Sequence, residues 1–108
     1  MDKKIVEAIK RFRFSLEALG PRIKAIVVFG SCVTGVAAEH SDIDLAVISD
    51  DFQGMDIFRR LELIGSALAK ARIMEPIEAL GYTQGEYDSR EEGTLLTDEI
   101  KFKGVRVI

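Results

Sequence analysis

An α/β (α+β) fold, a small mixed β-sheet with helices packed on it, is what this 108-residue sequence predicts. Three observations lead there. Apolar residues recur at helical spacing in two separate stretches, short β-branched runs bounded by glycine or proline lie between and after them, and the two kinds of segment alternate along the chain. At this length one core can form, so residues 1–108 are expected to be a single domain, with no residues left for a separate substrate domain.

Residues 3–19 place Ile5, Ile9, Phe12, Leu16 and Leu19 at steps of four and three, one stripe of an amphipathic helix, and Gly20 with Pro21 ends it. Residues 23–29 are apolar and β-branched between Pro21 and Gly30, a buried strand, and "IDLAVI" at 43–48 reads as a second. Between them "GSCVTG" is expected to make a turn and a short helix. The stripe of Ile57, Leu61, Ile64, Leu68 and Ala71 predicts another helix between about Met55 and Arg72. "EPIEALGY" at 75–82 predicts a third strand, with Pro76 near its start, where a missing N–H does least harm. "TQGEY" then opens a turn or short helix, a last helical stretch is expected over 93–102 with Gly104 at its end, and "VRVI" suits an edge strand.

Composition narrows the function classes. The chain is 47% hydrophobic and 31% charged, and no apolar run approaches the roughly 20 residues that span a bilayer, so no membrane role is expected. The charged N-terminus "MDKKIVEAIKRFRF" lacks the apolar centre of a secretory signal, which makes a cytoplasmic location the expectation. With Cys32 as the single cysteine, neither an intrachain disulfide nor a cysteine-rich zinc site can form. A net charge of −3 argues against nucleic acid as a general partner, although the first 24 residues hold seven Lys or Arg against three acids.

The chemistry lies in "VVFGSCVTGVAAEHSDIDLAVI", from Val27 to Ile48. Side chains alternate across a strand, so Asp42 and Asp44 share one face while Ile43, Leu45 and Val47 face the core. Two carboxylates that close repel unless a cation bridges them. Oxygen ligands with open positions suit magnesium, which keeps waters and takes phosphate oxygens as its remaining ligands. Upstream, Gly30 lets the backbone approach a ligand, and Ser31 with the helical turn after it directs N–H groups at an anion.

These residues, "GSCVTG" followed by "VAAEH" and "SDIDL", resemble the polymerase β-like nucleotidyltransferases, and among them the small prokaryotic minimal nucleotidyltransferases. The likeness covers most of the chain in length and element order. It implies the nucleotidyltransferase fold and magnesium-dependent transfer of a nucleoside monophosphate from an NTP, ATP first among them, to an acceptor hydroxyl. It also implies Gly30 and Ser31 on the triphosphate, Asp42 and Asp44 on Mg2+, and a third carboxylate on a later strand. Counted back five residues from Thr83, that third position falls on Glu78, whose extra methylene relative to aspartate moves the ligand by about 1 Å. Where many relatives carry arginine before the second glycine of the motif, this chain has Thr34.

Each reading has a plainer competitor. Asp42 and Asp44 could serve as local turn or capping groups, and Ser31 as a cap. Glu75 is the rival of Glu78; three residues away, it faces the other side of a strand, so at most one of the two reaches the site. His40 has no second ligand at metal spacing, and Cys32, with no histidine neighbour in sequence, suits packing.

Family resemblance further suggests that the chain is the antitoxin half of a toxin–antitoxin pair, nucleotidylating a small helical HEPN-type partner; a homodimer is the alternative assembly. A catalytically weak or inactive protein of the same fold, neutralising its partner by contact, is the rival function, and the catalytic half of a small-molecule transferase is a third. Phe14 falls opposite the apolar stripe of the first helix, among Lys3, Glu7, Lys10 and Arg11, where an aromatic would serve as an interface anchor.

Overall fold

The computed structural model describes residues 3–29, 43–88 and 105–107. Gly30, Ser31, Cys32, Thr34, His40 and Asp42, the turn and short helix of "GSCVTG", and the helix expected over 93–102 with Gly104 lie outside these residues.

Helix α1 (Lys3–Ala18) forms on the expected stripe: Ile9, Phe12 and Leu16 are fully buried, and Ile5 and Leu19 pack at its margins. Gly20 follows with φ +130°, a left-handed conformation in which a side chain would be strained. Strand β1 (Ala25–Phe29) pairs antiparallel with β2 (Ile43–Ile48), and β2 pairs parallel with β3 (Ile77–Tyr82). The two-residue β4 (Val105–Arg106) lies antiparallel on the far side of β1, so the sheet is mixed, in the order β3-β2-β1-β4, with the "VRVI" strand at an edge as expected.

Alternation divides the sheet into two faces. Ile26, Val28, Ile43, Leu45, Val47 and Ala79 meet α1 and α2 (Ile57–Lys70) in the main core. Ala25, Val27, Ala46 and Ile48 lie on the reverse face, covered in part by Phe29, Tyr82 and Tyr87. A short helix α3 (Gln84–Asp88) follows β3, where "TQGEY" predicts a turn or short helix.

Two features depart from the sequence expectation. The inward face of α2 is Leu63, Ile64 and Ala67, whereas Ile57 is 58% and Leu61 41% exposed, so the helix is turned relative to the predicted stripe. Arg60 is the reason: it stands one turn before Leu63 and Ile64 on their face, its side chain 12% exposed, and a charged residue hides that stripe from a hydrophobic count. The second departure is a 3-10 turn at Asp50–Phe52, which buries the Phe52 ring against the main core and is too short to carry a period.

The end of α2 is a Schellman closure. The Arg72 amide donates to Ala69 O at 3.1 Å and that of Ile73 to Leu68 O at 3.2 Å, with Arg72 at φ +51° in the left-handed region. Leu68 and Ile73 both pack on the core margin, which supplies the apolar contact typical of this closure. Helix α1 is tied to the same end: Ser15 Oγ donates to Ala67 O at 2.7 Å, and Arg11 Nη2 donates to the carbonyls of Ala71 and Arg72.

Candidate active site

Asp44 occupies the second position of β2, beside Phe29 of β1 on one side and Glu78 of β3 on the other. The β2–β3 register pairs Asp44 with Glu78 directly, and register partners in neighbouring strands present their side chains on the same face about 5 Å apart. That face is the reverse of the sheet, on the side of Ala46 and Ile48. The pairing is fixed from both ends: the Ile43 amide donates to Pro76 O at 2.7 Å, and the Ser49 amide to Tyr82 O at 2.8 Å.

Asp44, Glu78 and Phe29 line one cavity of about 390 Å³, completed by apolar side chains that include Leu61, Leu68 and Leu80 beside β3, the end strand of the sheet among the described residues. Asp44 is half-buried, Glu78 exposed. The donors in this wall are carboxylate oxygens without nitrogen or sulfur, a set that fits a hard cation such as magnesium. No group of three or more metal-ligating side chains occurs among the described residues, of which Asp42 is not one. Glu75, the rival of Glu78, precedes β3 in a bend, is half-buried, and does not line this cavity.

Behind the site, the end of β3 is held by Arg60. Its Nη1 donates to Gly81 O at 3.2 Å, Nη2 to Phe52 O at 3.0 Å and Nε to Met55 O at 3.1 Å, while both terminal nitrogens reach Glu86, at 2.5 and 3.0 Å. Glu86 is also half of a capping box. Its carboxylate accepts from the Thr83 amide at 2.9 Å, and Thr83 Oγ1 accepts from the Glu86 amide at 3.1 Å. The Arg60 hydrogen bond, helped by that amide, draws the Glu86 carboxyl below its ordinary value, and the same bond raises Arg60. Asp50 accepts from the Gln84 amide at 3.1 Å and pairs with Lys24 at 2.7 Å, which lowers its pKa, the Lys24 contact first. Burial raises that of the Tyr82 hydroxyl.

The family model of the nucleotidyltransferase domain matches residues 9–104. The chain belongs to this family. Among solved structures, this nucleotidyltransferase domain is similar to a toxin–antitoxin crystal structure with AMP-PNP, at 22% identity and a TM-score of 0.62, over 95% of this chain and 72% of that one. It is also similar to a candidate nucleotidyltransferase of Sulfolobus solfataricus, at 19% identity and a TM-score of 0.58, over 98% of this chain and 87% of that one. Both likenesses bear on the fold. No curated protein sequence matches the chain.

Of the residues singled out in the nucleotidyltransferase domain from sequence, the described structure thus brings Asp44 and Glu78 together; Gly30, Ser31 and Asp42 lie outside it. Phe29, which lines the same cavity, reads in the sequence simply as the last apolar position of a strand. The clamp of Arg60 and Glu86 was missed. Its one legible trace is the T-x-x-E spacing from Thr83 to Glu86, a capping-box signature.

Proposed function

We propose that this nucleotidyltransferase domain transfers a nucleoside monophosphate from an NTP, ATP first among candidates, to a hydroxyl carried by another polypeptide. The observation that carries the reading is the direct pairing of Asp44 with Glu78 at the wall of one cavity. Asp42, Asp44 and Glu78 are the residues that would hold magnesium, which when bound supplies charge neutralisation at the phosphates and at the attacking and leaving oxygens. Gly30 and Ser31 would receive the triphosphate through backbone and hydroxyl donors.

The chain's own part is positioning and proton handling. The acceptor oxygen attacks the α-phosphorus, the bond from that phosphorus to its bridging oxygen breaks, and pyrophosphate leaves. Glu78, more exposed than Asp44, is the carboxylate to which this reading gives the hydroxyl proton.

Likeness to a toxin–antitoxin structure with AMP-PNP supports an antitoxin role with a protein acceptor, a small helical HEPN-type toxin being the partner we favour. The test is co-expression with the product of the adjacent gene, followed by intact-mass spectrometry of that product. A mass gain of one nucleoside monophosphate, absent with Asp44→Asn, is expected. Association without mass gain would overturn the transfer reading in favour of a binding-only protein.

A further inference from the structure

The helical side of the molecule carries a second concave surface, away from the carboxylates. A groove of about 520 Å³ runs between α1 and the end of α2, and among the described residues three of those lining it are cations: Lys10, Arg11 and Lys70. Among the described residues no carboxylate lines it. Its apolar floor is Ala18, Leu19 and Ala71, and its rim is Phe14, which is 80% exposed.

Charge is uneven across this rim. On the other side of Phe14 a concavity of about 430 Å³ shares Lys10 with the groove and is further lined by Arg13 and Glu17, which pair with each other at 3.5 Å. In the first groove, Arg11 is directed to the carbonyls of Ala71 and Arg72, and neither it nor Lys70 meets a carboxylate among the described residues; Lys10 reaches only the exposed Glu7, at 4.0 Å. The groove therefore offers an aromatic, an apolar floor and three positive charges, with no acid among the described residues of its lining. An occupant complementary to it is anionic on one side and apolar on the other.

We infer that the α1–α2 groove is a docking site for an acidic amphipathic segment of a partner polypeptide, its apolar side against Phe14 and Leu19 and its carboxylates on Lys10, Arg11 and Lys70. Helix-in-groove recognition uses this arrangement of apolar anchors with a charged margin. Nucleic acid is disfavoured as the occupant because Phe14 is the single aromatic lining the groove among the described residues, where strand binding uses stacked platforms. The inference goes beyond nucleotide transfer and is tested without nucleotide, so its failure would leave the reading of the carboxylate site standing.

The probe is a fluorescein-labelled helical peptide of about four turns, with Leu and Trp along one face and Glu on the other, titrated with the full chain and followed by anisotropy. Saturable binding that weakens with salt is expected, and Phe14→Ser should weaken it roughly tenfold or more, the loss typical of an interface anchor. Lys10→Glu combined with Lys70→Glu should abolish it. Both substitutions fall on exposed side chains, and circular dichroism checks that the fold is kept. Failure to bind, equal binding by both variants, or equal binding of a peptide with Gln in place of Glu would overturn the proposal. So would tighter binding of single-stranded oligothymidylate lost in the same variants. Self-association of the wild type removed by Phe14→Ser would assign the groove to a second copy of the chain and overturn it equally.

Discussion

Asp44 and Glu78 are register partners across the parallel β2–β3 pair, so that two carboxylates distant in sequence stand side by side on one face of the sheet. Parallel neighbours need a crossover connection, and here α2 supplies it. A shift of that register by one residue would carry Glu78 to the core face, which is why the alignment is held at both ends of the strand.

If both carboxylates serve phosphoryl transfer, Asp44→Asn and Glu78→Gln should each cost on the order of 10² or more in transfer rate with little change in melting temperature, since neither removes core volume. Glu75→Gln should be close to wild type. Rates of label transfer from α-labelled ATP check this, and a crippled Glu75→Gln beside a normal Glu78→Gln would reassign the third carboxylate.

Much of this arrangement was legible in the sequence, and the exceptions have physical causes. Helix α1 is legible from its period, because Ile9, Phe12 and Leu16 repeat at helical spacing, and the strands from short apolar, β-branched runs bounded by proline or glycine. The rotation of α2 is not, because its inward face begins with Arg60, whose guanidinium is satisfied by carbonyls and Glu86 that only the fold brings near. The pairing of Asp44 with Glu78 depends on strand order and register, which no local pattern encodes; family spacing pointed to Glu78, and the structure adds where it stands.

Gly81 gives a packing prediction. A Cβ at this position would lie 2.8 Å from Cε2 of Phe52, a ring with no exposed surface and with Arg60 5.7 Å above its centre. The ring cannot move aside cheaply, so Gly81→Ala should destabilise the protein by about 1–3 kcal/mol through overpacking, despite the entropy that alanine removes from the unfolded chain. In urea unfolding, Phe52→Leu should recover part of that loss, and additive effects of the two would place the strain elsewhere.

Arg72 gives one of opposite sign. At φ +51° its backbone is strained by roughly 1–2 kcal/mol, while glycine there would add about 0.4–1 kcal/mol of unfolded-state entropy to be overcome. Relief exceeds cost, and the Schellman bonds involve backbone groups that glycine keeps. Arg72→Gly should therefore raise the melting temperature by a few degrees. Arg72→Ala separates the causes: it removes the charge and leaves the strain, so an equal gain there would show that electrostatics, not backbone conformation, was responsible.

The clamp behind the site should make stability depend on pH. Arg60 hydrogen-bonds three carbonyls, from Phe52, Met55 and Gly81, and its ion pair with Glu86 holds the start of α3 against the end of β3. Removing the guanidinium leaves those part-buried carbonyls short of a donor and Glu86 without its cation, for which a loss of about 2–4 kcal/mol in Arg60→Met is expected. The Glu86 carboxyl is lowered in the folded state, chiefly by its hydrogen bond from Arg60. A carboxyl lowered on folding adds stability that is fully present above its unfolded value and is lost as pH falls through the folded one. Glu86 is 45% exposed, so solvent screening keeps this contribution small. Wild-type melting temperature should thus decline on the acid side of the ordinary carboxylate range, and Glu86→Gln, already less stable at neutral pH, should decline less steeply over the same interval. Equal acid limbs for the two proteins would mean that the Arg60–Glu86 contact contributes nothing to the linkage, and that the carbonyl bonds alone hold β3 in place behind Glu78.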